Sequence, residues 1–203
     1  MEIKQFLEKL AADTPTPGGG SASALAGALS ASLLSMVAGL SLEKGSLTKK
    51  KANEIRKESL RIQKELFLAI HQDAKSYEAV LKAFRLPKNT EKERSYRSQM
   101  IQGAYQGATV IPQRVCELSL QLLKDSEDLI LKGNPNAISD VGVAAFLANA
   151  AFDGGLLNIN INLGSIRDKR FLRKMGTLKK RYVKGKNHLM RRIGKALIKH
   201  RFI

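Results

Sequence analysis

Cysteine is nearly missing from this chain: Cys116 is the only one in 203 residues. That excludes an internal disulfide and any cysteine-based metal site. Histidine is scarce too. His71, His188 and His200 lie far apart without ligand spacing, so no structural metal is expected. No signal-like or Arg-rich stretch precedes the first amphipathic segment, which with the single cysteine points to a cytoplasmic protein. Acid is rare at the far end, where Asp168 is the only acidic residue between Arg167 and Ile203. Aromatics are few there (Phe171, Tyr182, Phe202), so stacking onto nucleic-acid bases is poorly supported.

What is present is a 43 % hydrophobic chain of a length for one domain with a real core. Its net charge of +17 favours polyanions or an acidic small molecule. The excess sits in the tail. Residues 1–170 read as a helical bundle domain, and 171–203 as a basic helical extension packed on it or continuing it.

The pattern is helical almost throughout. Ile3, Phe6, Leu7 and Leu10 form one stripe, which "DTPTPGGGS" ends. Ser21 to Leu42 carries almost no charge and approaches a membrane span in length, but its serines and small residues predict a core helix buried on all sides. Ser46 is the expected cap of a helix running to about Phe84. Thr90 and Glu93 make a capping box. The helix they start should kink or break at Pro112 and end in a left-handed Gly133. Ser139 is the expected cap of the next helix. "LLNININL" (Leu156 to Leu163) alternates like a strand, yet no partner strand exists, which favours a continued helix. The fold class is therefore all-α, a multihelical bundle with interrupted or kinked helices.

Several stretches could carry chemistry. In "PGGGS", Gly18, Gly19, Gly20 and Ser21 precede a helix whose exposed N–H groups attract an anion. Neither a Walker lysine nor a preceding strand accompanies them, and the plain alternative is a tight turn. Asp140 opens an apolar helix: a helix-start residue, or a desolvated acid whose raised pKa suits proton transfer. Asp73 and Tyr77 share a helix face. They are either an exposed acid and a half-buried ring, or a grip on a flat heterocycle. Asn158, Asn160 and Asn162 are poor helix residues, and buried amides need partners.

Five motifs, in order, resemble the cyclodeaminase domain of formiminotransferase-cyclodeaminase and its stand-alone methenyltetrahydrofolate cyclohydrolase relatives. They are "TPGGGSASALAGALSASLLSMV", "DAKSYEAVLKAFRLPKNT", "VIP", "GNPNAISDVGVAA" and "GGLLNININL". The resemblance covers the chain to about Arg170. It implies an all-α bundle, usually a homodimer, acting on one-carbon derivatives of tetrahydrofolate, with "LLNININL" helical. It implies a polar site at Gly18–Ser21, Asp73, Asp140, Asn158 and Asn162. Asp140 is the expected proton shuttle, with Asp73 in reserve. Tyr77 would stack on the pterin. The Gly18–Ser21 turn or Lys88 would hold a polyglutamate tail. No metal and no permanently bound cofactor is expected, and no membrane partner. Cyclohydrolase is preferred over cyclodeaminase. The rival outside the family is a non-catalytic basic bundle that binds RNA through Arg167–Arg201.

Overall fold

Small and apolar residues recurring at helical spacing build six helices. A computed structural model describes residues 2–202 and shows α1 (Ile3–Leu10), α2 (Gly19–Leu40), α3 (Lys49–Phe84), α4 (Glu91–Lys132), α5 (Ile138–Leu163) and α6 (Lys169–Lys199). A 3₁₀ turn, Pro135–Ala137, leads into α5, and no strand occurs among the described residues. The "LLNININL" stretch is the last two turns of α5.

Four helices close a bundle. α2 packs on α3, α3 on α4, α4 on α5 and α5 on α2, while α6 lies against α4 and α5. The core is built from Leu34 and Val37, Ile62 and Leu66, Leu122 and Leu129, and Val141 and Ala148, all fully buried. α2 and α5 run antiparallel and very close. Ser30 Oγ donates to the Ala144 carbonyl at 2.8 Å, and a side chain at Gly154 would overlap Ser23.

Several expected boundaries shift. Thr48, not Ser46, caps α3 by accepting from Lys51 N. Ser139 lies inside the first turn of α5 rather than capping it; Asn134 caps the preceding 3₁₀ turn instead. Gly133 ends α4 with φ −76°, not left-handed; a Cβ there would strike the Leu129 carbonyl. α2 is not buried on all sides, since Leu29, Met36 and Leu40 are exposed. By length and composition α2 and Pro135–Leu163 could each cross a bilayer. Here each gives one side to the core and leaves the other open.

Pro112 does not interrupt α4. A proline leaves the carbonyl four residues earlier without its amide partner. That carbonyl belongs to Ala108, and Asn162 Nδ2 donates to it at 3.0 Å. α5 supplies the donor that α4 lacks, so the helix runs on.

The basic tail is part of the same bundle. Asp168 caps α6 by accepting from Arg170 N and Phe171 N. Met175, Tyr182, Leu189 and Ile193 turn inward. Tyr182 Oη donates to Glu117 at 2.5 Å, and Glu117 and Glu65 both hold Arg114. This network joins α3, α4 and α6. The helix passes without a break through the 170/171 division that composition suggested.

Candidate active site

The N-terminus of α2 meets the middle of α3, the end of α5 and the first half of α4 around a cleft of 390 Å³. That volume suits a small organic ligand. Its wall is made by Gly18, Gly19 and Gly20 on one side, by Asp73, Ser76 and Tyr77 on α3, by Tyr105 on α4, and by Asn158, Asn162 and Ser165 at the end of α5.

Among the described residues, Asp73 is the only carboxylate on that wall. It lies against the first turn of α2 so closely that a Cβ on Gly20 would overlap its carboxylate. Glycine at position 20 is thus a condition for the acid to sit there. Ser21 Oγ donates to the Ile70 carbonyl at 2.8 Å and stands 3.3 Å from Asp73 Oδ2. Burial pushes the Asp73 carboxyl above the usual carboxylate range, and the hydrogen bonds from Ser21 oppose this without cancelling it. A carboxyl whose charged form is disfavoured in this way is better able to hold a proton and pass it on than a solvated one.

The amides have defined duties. Asn158 Nδ2 donates to the Gly154 carbonyl at 2.8 Å. Asn162 Nδ2 is committed to Ala108. In each case the side-chain oxygen remains free to accept from a ligand N–H. Tyr77 is partly exposed at the rim, where a ring can lie over a flat substrate.

Of the expected site residues, the fold brings together Gly18, Gly19, Gly20, Asp73, Tyr77, Asn158 and Asn162, with Ser21 behind Asp73. It does not bring Asp140 or Lys88. Asp140 is half-buried in the first turn of α5. It lies eighteen residues from Asn158 along one helix, about 27 Å at the α-helical rise. Its chain neighbour Asn134, by contrast, anchors the end of α2 by donating to the Leu40 carbonyl at 3.2 Å. Lys88 sits exposed between α3 and α4, away from the cleft. The reserve carboxylate, Asp73, occupies the position expected of Asp140.

Sequence reasoning missed Ser76, Tyr105 and Ser165. Ser76 lies one residue before Tyr77 on the same helix and could have been drawn in with it. Tyr105 and Ser165 carry no local signal, since α4 and the end of α5 bring them in from far along the chain. A second cavity of 420 Å³ shares Tyr105 and Ser165 with the first and is edged by Arg97 and Arg167.

A four-helix core, a glycine-opened helix start and one desolvated acid beneath it define a helical cleft that can carry acid–base chemistry on a small organic molecule. The chain belongs to the formiminotransferase-cyclodeaminase family, whose profile matches residues 2–180. The methenyltetrahydrofolate cyclohydrolase of Methylorubrum extorquens is 36 % identical over 171 residues, covering 83 % of this chain and 82 % of that protein. The formimidoyltransferase-cyclodeaminase of Mus musculus is 30 % identical over 181 residues, 85 % of this chain but 32 % of that longer protein. A crystal structure of formiminotetrahydrofolate cyclodeaminase from Thermotoga maritima superposes with a TM-score of 0.88 at 27 % identity. It covers 97 % of this chain and 96 % of that one.

Proposed function

We propose that this chain interconverts 5,10-methenyltetrahydrofolate and 10-formyltetrahydrofolate, as a cyclohydrolase, with Asp73 carrying the proton. The observation that carries the reading is a lone desolvated carboxylate in a cleft whose apolar wall is dotted with amides and hydroxyls. It occurs in a chain that pairs with most of the length of a stand-alone cyclohydrolase.

The chemistry follows from the substrate. The bridging methenyl carbon is bonded to N5 and N10, and the pair carries a positive charge. Water adds to that carbon and gives a tetrahedral centre. Asp73 takes one proton from the water and delivers it to N5 as the carbon–N5 bond breaks. The second water proton leaves the hydroxyl as the formyl carbonyl forms on N10, so one proton is released overall. Before it is protonated, the Asp73 carboxylate also faces the cation with a negative charge. Asn158 and Asn162 accept from N–H groups of the pterin, and Tyr77 lies over its ring.

The second reading is the cyclodeaminase, favoured by the superposition on a Thermotoga maritima enzyme of that name over nearly the whole of both chains. N10 attacks the formimino carbon on N5, the same carboxyl moves the proton, and ammonia leaves. Purified chain is given each substrate while the methenyl chromophore is followed. Its loss in the hydrolytic direction supports the cyclohydrolase. Its appearance with ammonia supports the cyclodeaminase, and neither change contradicts both.

The reading extends to a polyglutamylated substrate and a cytoplasmic homodimer. Arg97 and Arg167 edge a cavity that shares Tyr105 and Ser165 with the cleft, and two cations there support a path for a tail of carboxylates. The KM for polyglutamylated substrate should rise by about threefold or more between low salt and 0.5 M salt, where surface attraction is screened. A flat response contradicts the tail's place there.

A further inference from the structure

The last helix carries most of the chain's charge. Residues 169–203 hold fourteen of its thirty-five lysines and arginines and none of its eighteen acids. The remainder is close to neutral. Packing sorts the cations of α6 into two groups. Those at its edges are used inside the bundle. Arg192 pairs with Glu127 of α4, Lys186 pairs with Asp153 of α5 at 3.1 Å, and Lys179 donates to Asn160 of α5.

Those on the outer side are not. Arg173, Lys180, Lys184, Arg191 and Lys195 step by seven and four residues, which keeps them on one face, opposite the inward Met175, Tyr182 and Leu189. All five are exposed. Arg170, Lys174, Arg181 and Lys199 form a second exposed row beside them, on the α4 edge that Arg192 marks. Among the described residues, none of these nine lies in an ion pair. Acids on the neighbouring helices are already engaged. Glu117 holds Arg114 and accepts from Tyr182, Asp128 holds Lys51, and Glu127 and Asp153 hold the edge cations. Like charges three or four residues apart weaken a helix, so the rows destabilise α6 with nothing in the chain to offset them. Nor do they serve the cleft, whose wall contains none of them.

The shape of the rows narrows the partner. From Arg170 to Lys199 they run along one unbroken helix, about 44 Å at the α-helical rise. A stiff line of cations is matched by a stiff line of anions, and a nucleic-acid duplex carries about one charge per 1.7 Å of its axis. The face offers no aromatic ring on which an unpaired base could stack, because Phe171 and Tyr182 pack towards the bundle. That disfavours a single strand. A bilayer is disfavoured too. The apolar side of α6 is spent on the core, and among its described residues Ile198 is the only large apolar side chain left exposed.

We propose that the outer face of α6 binds double-stranded nucleic acid through its phosphates, without reading sequence. The middle row contacts the backbone, and the α4-side row follows the flank of the duplex. This activity goes beyond the folate reading and stands without it.

Fluorescence anisotropy of the full wild-type chain with a DNA duplex of about 30 base pairs and random sequence tests it. Kd should lie at about 10⁻⁴–10⁻⁶ M in physiological salt, and log Kd should rise with log salt with a slope of about 4–5, for five neutralised phosphates. Lys180→Gln, Lys184→Gln, Arg191→Gln and Lys195→Gln combined should lower that slope by about 3–4 and weaken binding at least about tenfold. The same net charge is removed from a different place by Lys44→Gln, Lys50→Gln, Lys57→Gln and Lys64→Gln, exposed lysines on or just before α3. That control should bind within about threefold of wild type and keep its slope. Should the α6 variant not fold, Lys184→Gln with Arg191→Gln decides in its place, with an expected fall in slope of about 2. A wild-type Kd weaker than about 1 mM, an unchanged slope in the folded α6 variant, or equal losses in the α6 variant and the control, overturns the site. A single strand of the same length bound as tightly as the duplex, or equal affinity for anionic lipid vesicles, overturns the duplex as its partner.

Discussion

The two carboxylates Asp73 and Asp140 show how much position matters when residue type is the same. Both stand among apolar neighbours near a helix start. Asp73 reaches its helix start through space, from α3 to the first turn of α2, with Ser21 beside it and a cavity in front. Asp140 occupies the first turn of its own helix, half-buried and outside the wall of the cleft. An acid's surroundings, rather than its motif, decide what it can do.

The sharpest way to break this comparison is to remove the first acid. Asp73→Asn should keep its thermal midpoint and lose about 10²–10⁴ in kcat. Circular dichroism and turnover together check this. Next is the glycine that makes room for the acid. Gly20→Ala puts a methyl group where the carboxylate now lies, and the displaced acid should lose about 10² in kcat while the substituted helix still folds. Gly20→Ala with wild-type turnover would mean that the acid's placement is unimportant.

A third carboxylate tests burial without a cleft. Asp125 is 3 % exposed, with Oδ2 unpaired and Oδ1 accepting from Gln121. Burial pushes its carboxyl up to about 7. A folded-state pKa above the unfolded one means the folded protein holds the proton longer. The resulting loss of stability is absent below about pH 4, grows as pH rises to about 7, and stays constant beyond. Asp125→Asn should therefore gain about 2–4 kcal/mol over wild type at pH 8 and little at pH 4, with turnover unchanged. Denaturant titrations at both pH values check it. The smallest effect belongs to Asn162→Ala, which orphans the Ala108 carbonyl left by Pro112. It should cost about 1–3 kcal/mol in stability, measured by urea unfolding.

Much of the fold was legible because its signals are local. The Thr90–Glu93 capping box, the stop at Phe84 and the helical course of α5 all stand as read. The misreadings share a different cause. Pro112 was expected to break α4, but its orphaned carbonyl is served from fifty-four residues away. α2 was expected to be enclosed, since composition does not say which side of an apolar helix stays open. The site was half legible: the glycines, Asp73, Tyr77 and both asparagines converge, whereas Asp140 and Lys88 do not. Ordering the two acids needed to know which one faces a cavity, and that depends on how α3 crosses α2. Tyr105 and Ser165 depend likewise on long-range packing.

The central claim is that a desolvated Asp73 carries the proton, and the pH dependence of kcat tests it most directly. Wild-type enzyme should show a limb set by a group titrating above the ordinary carboxylate range, and Asp73→Asn should lack that limb at its much lower rate. A folded Asp73→Asn protein that keeps the wild-type rate and the wild-type limb would contradict the account.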